Sequence, residues 1–259
     1  MATAELRSSD GMLNKVPEVT LAFWIIKMLS TTVGETGADY LIFNLGYGLT
    51  ITSAVMGVLL VAALAWQMRL RRYVPEPYWL AVVLVSIFGT LVTDNLTDQF
   101  GVPLAVSTGA FSILLVALFW IWHRSEGTLA IDAIDTPRRE RFYWISILVT
   151  FALGTAAGDW VGEGLGLGYG TSAILFGAMI AAVAAARFLF KASPVATFWI
   201  AYVLTRPLGA SCGDLLAQTQ ANGGLGLGTT QTSLAFLVVI VALVLYLRAA
   251  LPKSAAIAG

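Results

Sequence analysis

Four times along this chain an aromatic residue stands directly before a tryptophan, a glycine follows ten residues later, and an aspartate follows five residues after the glycine. The copies are Phe23-Trp24 with Gly34 and Asp39, Tyr78-Trp79 with Gly89 and Asp94, Tyr143-Trp144 with Gly154 and Asp159, and Phe198-Trp199 with Gly209 and Asp214. Four residue classes in register at four sites are not a chance pattern. Such a repeat constrains the fold before any local propensity does, because each copy must solve the same packing problem. After each aspartate comes a glycine-bearing turn, then an apolar run over 50–70, 104–122, 171–190 and 230–250. Each copy therefore reads as two helices joined by a turn. The copies are offset by 55, 65 and 55 residues, and the ten extra residues fall in the charged stretch from His123 to Arg141, which reads as a linker between two halves.

Composition decides the solvent. Of 259 residues, 58% are hydrophobic and only 12% are charged, too few polar groups to cover a soluble globule. The apolar runs approach the ~20 residues that cross about 30 Å of hydrocarbon. The expected architecture is an all-α integral membrane protein with eight transmembrane helices, arranged as four parallel two-helix repeats in a pseudo-symmetric 2+2 bundle. Its parts would be an N-terminal tail (1–14), repeat 1 (15–73), repeat 2 (74–127), a charged cytoplasmic linker (128–141), repeat 3 (142–192), repeat 4 (193–251) and a C-terminal tail (252–259).

Residues 1–12 lack a cleavable signal pattern, so the first helix is expected to act as its own signal-anchor. Of the fifteen Lys and Arg residues, thirteen lie at the chain ends or between repeats and none in a glycine-rich turn. By the positive-inside rule, both termini are then cytoplasmic and the glycine turns face outward. The tryptophan pairs would anchor the helices at the cytoplasmic interface. Cys212 is the lone cysteine, so there is no intrachain disulfide and no cysteine-built metal cage. A net charge of zero argues against a nucleic-acid partner.

Depth turns the repeat into chemistry. At about 1.5 Å per residue, each repeated glycine lies about 15 Å beyond its tryptophan and each aspartate about 22 Å beyond it. Glu35, Asp98 and Glu163 stand four residues from Asp39, Asp94 and Asp159, and Gln218 four residues from Asp214, a spacing that shares a helix face. Seven carboxylates at such depth cannot face lipid, where each ionised acid costs a few kcal/mol or more. They must converge inside the bundle or line water. Two bases share the region. Lys27 is close enough to the interface to snorkel, whereas Arg206 is too deep for that and is expected to pair with an acid of another repeat or with Asp214. Seven acids against two bases leave an excess of five negative charges for protons, cations or water to offset.

Two readings of these acids stay open. In one, Glu35, Asp39, Asp94, Asp98, Asp159, Glu163 and Asp214 supply oxygen ligands to a hard or borderline divalent cation. In the other, the four repeated aspartates cap helices after a break, and Glu35, Asp98 and Glu163 are solvated near the outer surface. The turn at 166–170 lacks the lysine of a phosphate-binding loop, and Leu45-Gly46-Tyr47-Gly48 lacks the Thr-Val of a potassium filter. Both read as turns. With one histidine and no Ser-His-Asp, His-Glu-x-x-His or paired-cysteine pattern, no enzyme is expected.

The run Lys15-Val16-Pro17-Glu18-Val19-Thr20, then Phe23-Trp24, Lys27, Thr31-Thr32-Val33-Gly34-Glu35 and Asp39, resembles the opening of a bacterial family of membrane-anchored proteins built from a repeat of unknown function. The resemblance runs through all four copies and implies a multi-pass protein of the bacterial inner membrane. It supplies no chemistry. Copies two to four lack the Lys and Thr-Thr of copy one, so any role of those residues belongs to one repeat.

The expected function is that of an inner-membrane transporter or channel-like protein for a cation, first of all a divalent metal ion, with protons as the coupling ion. One alternative is a proton-driven carrier of a small organic solute, with Tyr47 and Tyr169 lining its site. The other is a non-transporting membrane sensor or assembly protein whose acids are held by Lys27 and Arg206. The expected partners are the lipid bilayer and the cation, and homo-oligomerisation stays open.

Overall fold

A chain whose repeats each carry one glycine-marked, polar helix and one apolar helix can bury the polar set only by gathering those helices at the centre. That is the arrangement in the computed structural model, which describes residues 14–250. Most of the expected terminal tails, with Arg7 and Lys253, lies outside the described residues.

Eight α-helices are present among the described residues, with no strand: α1 (Leu21–Asp39), α2 (Gly48–Arg69), α3 (Pro75–Asp94), α4 (Leu104–Glu126), α5 (Pro137–Asp159), α6 (Gly168–Phe188), α7 (Pro194–Ala217) and α8 (Thr229–Ala250). The odd-numbered helices form a closed inner ring in which α1 packs on α3, α3 on α5, α5 on α7 and α7 on α1. The even-numbered helices pack outside it, α2 on α3, α4 on α5, α6 on α7 and α8 on α1. Each outer helix thus lies against the inner helix of the following repeat, and α8 closes the circle on the first. The packing is one ring, not the two halves that the linker suggested.

The repeated glycines account for the close approach. A Cβ on Gly34 would collide with Ser86, on Gly89 with Phe151, on Gly154 with Arg206 and on Gly209 with Thr31. Each partner stands three residues before the glycine of the next repeat, so one contact recurs around the ring. The aromatic pairs close it in the same sense: Phe23 packs on Trp79 (5.6 Å between ring centroids), Tyr78 on Trp144 (5.5 Å), Tyr143 on Trp199 (6.2 Å) and Phe198 on Trp24 (5.7 Å). These rings face into the bundle and not outward as free anchors. Phe23, Tyr78, Trp79, Tyr143, Trp144, Phe198 and Trp199 are all buried, because they fill the end of the ring where the inner helices begin.

Among the described residues, six helices are long and apolar enough to cross a membrane: α2, α4, α6, α8, and α3 and α5 with the turns that follow them. The outer four expose apolar side chains such as Val58, Ile113, Ile174 and Leu234, as membrane residence requires. α1 and α7 are not in that set, because Lys27, Glu35 and Asp39 interrupt one and Arg206, Pro207 and Asp214 the other. Those side chains lie among the inner helices, where their polarity costs least.

α1, α3 and α5 each run on into a wider π-helical turn, Tyr40–Asn44, Asn95–Gln99 and Trp160–Gly164. The turns then reverse through glycines at positive φ, among them Gly46 (68°), Gly101 (65°) and Gly166 (69°), a conformation closed to most side chains. α7 ends differently. Its longer connection folds back so that the amides of Leu225, Leu227 and Gly228 donate to the carbonyls of Leu215, Leu216 and Ala217, satisfying the helix end. At the opposite end the linker is pinned. Lys15 and Glu140, both 1% exposed, form an ion pair, and Glu126 pairs with Arg138 (3.1 Å) and with Arg139 (3.2 Å).

Candidate functional site

Each inner helix turns the same face to the axis, because residues four apart lie one above another. Counting in fours from the residue before each tryptophan gives successive layers. The first is the aromatic collar Phe23, Tyr78, Tyr143 and Phe198, where the Tyr78 and Tyr143 hydroxyls meet at 2.5 Å. Next come Lys27, Val82, Ile147 and Tyr202, then Thr31, Ser86, Phe151 and Arg206, then Glu35, Thr90, Thr155 and Ala210. Every member of the second and third layers is at most 1% exposed. The repeated aspartates form the fifth layer, and Phe43, Asp98, Glu163 and Gln218 the sixth.

Arg206 is the hub of this axis. Wholly buried, its guanidinium donates to the Thr31 carbonyl (2.6 Å) and the Glu35 carboxylate (2.8 Å) from α1, to the Thr90 hydroxyl from α3, and to the Thr155 hydroxyl (2.7 Å) from α5. One side chain of the fourth repeat thereby ties the other three inner helices together. Of the two partners expected for it, the structure selects an acid of another repeat, Glu35. Asp214 is not its ion-pair partner.

Lys27 departs from expectation. It does not snorkel: its side chain is 0% exposed, donates to the Thr205 hydroxyl (3.1 Å) and lies 4.3 Å from the ring centroids of both Phe151 and Tyr202. Among the described residues it forms no ion pair. Inward projection brings it into an aromatic cage one layer beyond Arg206, where cation–π attraction replaces a carboxylate partner.

The seven acids come together. Glu35, Asp39, Asp94, Asp98, Asp159, Glu163 and Asp214 all line one cavity of about 480 Å³ at the end of the ring where the inner helices stop, together with Gln218 and the apolar Ile42, Phe43, Leu49 and Leu104. Exposed Asp98 and Glu163 stand at its mouth, and buried Glu35 and Asp214 at its floor. Carboxylate oxygens of Glu35, Asp159 and Asp214 lie within 4.8 Å of one another.

The capping alternative does not hold. Asp39, Asp94 and Asp159 sit in continuous right-handed helix, with φ of −54°, −60° and −67°, and make no side-chain capping bond to the turns that follow. Asp214 lies inside α7. The expectation that Glu35, Asp98 and Glu163 are all solvated fails for Glu35, which is 7% exposed.

Asp214 is 8% exposed, yet among the described residues its carboxylate accepts no side-chain or backbone hydrogen bond, and the same absence holds for Asp159. Their oxygens open onto the cavity, so water, a proton or a cation, and no protein group, must offset the charge. Neither Tyr47, which is 54% exposed, nor Tyr169 lines the cavity, although the Tyr169 hydroxyl donates to Glu163 at 3.0 Å. Residues that sequence reasoning overlooked are Thr90, which joins Thr155 in the Arg206 shell, and Phe151 and Tyr202, which cage Lys27. Counting in fours from the aromatic pairs would have found all three.

No curated protein and no solved structure matches the chain. Its segments 22–73, 77–128, 142–193 and 197–250 each match one family, described as a Repeat of Unknown Function (DUF347). With four copies covering most of its length, the chain belongs to the DUF347 repeat family.

Proposed function

We propose that this protein is an inner-membrane cation transporter that takes a divalent metal ion as its substrate. The observation that carries this reading is the convergence of Glu35, Asp159 and Asp214, with oxygens within 4.8 Å of one another, on the floor of a cavity whose buried Asp214 carboxylate has no donor. Hard divalent ions take such oxygen ligands. The outer acids Asp98 and Glu163 would draw a cation inward, since clefts lined by one sign of charge concentrate the opposite ion. In this reading all eight helices cross the bilayer in four parallel repeats, with both termini cytoplasmic and the cavity open to the outside. Beyond the acid layers the axis carries Arg206, then Lys27, then the aromatic collar. The buried Arg206 charge, backed by the packed Lys27 layer and the collar, opposes the straight passage of a cation, so the reading is of alternating access around a closed-ended site, with protons as coupling ion, and not of an open channel or an enzyme.

The cavity itself favours a second reading. At about 480 Å³, with Ile42, Phe43, Leu49 and Leu104 in its wall, it falls within the range of small-molecule sites and would hold a small organic cation. Thermal unfolding of the purified protein across Mg²⁺, Ca²⁺, Mn²⁺, Zn²⁺ and a set of organic amines separates the two, followed by uptake into proteoliposomes. A divalent ion should raise the unfolding temperature in the wild type, and Asp159→Asn and Asp214→Asn should weaken that response. Stabilisation by amines alone would favour the organic cation. If no cation stabilises the protein, transport gives way to a sensor or assembly role.

A further inference from the structure

Among the three converging acids, Glu35 alone has a protein cation. Its carboxylate accepts from Arg206 at 2.8 Å and from Thr90 at 3.4 Å, while Asp159 and the nine-tenths buried Asp214 point into the cavity with no hydrogen-bond donor among the described residues. Arg206 cannot leave this position freely. Its Cβ and Cγ lie in the notch made by Gly154, and its remaining nitrogen contacts reach Thr31, Thr90 and Thr155. Its charge is therefore a fixed part of the floor. Lys27 adds little there, because it lies a layer beyond and bonds to Thr205 instead of an acid. Asp39, Asp94, Asp98 and Glu163 line the same cavity but are outside the converging set.

We infer that Arg206 sets the valence of the cation the cavity selects, by holding Glu35 as a ligand while cancelling one of the three carboxylate charges. Three negative charges and one positive leave two, matched to a divalent ion. The inference rests on the cation reading above and names Arg206 as the specificity-determining residue, although it touches no cation itself. Changes at this pair should shift preference in opposite directions. Arg206→Gln leaves three negative charges and favours a trivalent ion, Glu35→Gln leaves one and weakens divalent binding, and the double variant restores two.

Stabilisation of the purified full-length protein by Na⁺, Ca²⁺, Mn²⁺ and La³⁺ tests this. In the wild type, Ca²⁺ or Mn²⁺ should stabilise more than Na⁺. For Arg206→Gln, the apparent affinity for La³⁺ relative to Ca²⁺ should rise by about tenfold or more, as one added unit charge at contact range implies. Glu35→Gln should lose about tenfold or more in divalent affinity, and Glu35→Gln with Arg206→Gln should regain it. Should Arg206→Gln fail to fold alone, the double variant carries the test, since removing both buried charges leaves neither uncompensated. A wild-type preference order that persists in Glu35→Gln, or a double variant that regains nothing, overturns the role of Arg206. A wild type that responds to no divalent ion overturns the cation reading itself.

Discussion

Arg206 shows how a single residue can serve a bundle that is otherwise built by repetition. Its equivalents in the other repeats are Thr31, Ser86 and Phe151, so only the fourth copy brings a guanidinium to the axis, and only the first brings a carboxylate, Glu35, to meet it. Breaking a buried pair by removing one partner costs about 3–5 kcal/mol, because the other charge is left uncompensated. Arg206→Leu should therefore lower unfolding stability in detergent by that order, with Glu35→Gln in the same background recovering part of the loss and Asp214→Asn recovering less. A neutral Arg206→Leu would sink this account. Lys27 predicts the reverse. It has no carboxylate partner among the described residues, so Lys27→Met, of similar length and apolar, should be neutral or stabilising within about 1 kcal/mol. A loss of several kcal/mol in the same unfolding measurement would mean that the aromatic cage holds more than packing energy.

At the scale of the element, the repeated glycines and aspartates have separable jobs. Each glycine sits where a Cβ would enter the next inner helix, and forcing extra atoms into a packed contact costs about 1–3 kcal/mol. Alanine at Gly34, Gly89, Gly154 or Gly209 should each destabilise by that much. Gly109 and Gly177, on the outer helices with nothing within 4 Å of a Cβ, should accept alanine with no loss. Equal effects at both sets, read by thermal unfolding, would remove the close-approach explanation. The aspartates cap nothing, and loss of a true cap would cost about 1 kcal/mol. Asp94→Ala and Asp159→Ala should therefore keep wild-type stability in the absence of cations, because removing an acid from a crowded cavity relieves repulsion. A clear loss at either position would return the aspartates to a structural role.

For the whole molecule, the ring has a polar direction. Of the basic residues assigned to the helix connections, the eleven within the described residues, from Lys15 to Arg248, all lie at the end where the inner helices begin, and the acid-lined cavity is at the other. On the proposed positive-inside topology the cavity would open outward. Reporter fusions after Arg72, Arg139 and Lys191 should report cytoplasm, and fusions at Tyr47 and Tyr169 the outer side. A periplasmic signal at Arg139 would invert the protein and turn the cavity toward the cytoplasm.

The eight helices, their order and the four-copy register were legible in the chain, because hydrophobic length and turn glycines are local properties that each residue carries with it. That the seven acids gather inside the bundle or line water was legible too, since lipid excludes them, but not which three would meet. What the chain alone did not determine was which copy meets which. That Glu35 and not Asp214 receives Arg206, that Lys27 turns inward, and that each outer helix covers the next repeat all follow from how four inner helices close around an axis. Four residues in a row on one helix define a face, but only the closed ring decides what that face meets across it. The meeting of Glu35, Asp159 and Asp214 from three helices is a property of that closure, which brings together side chains that lie up to 179 positions apart.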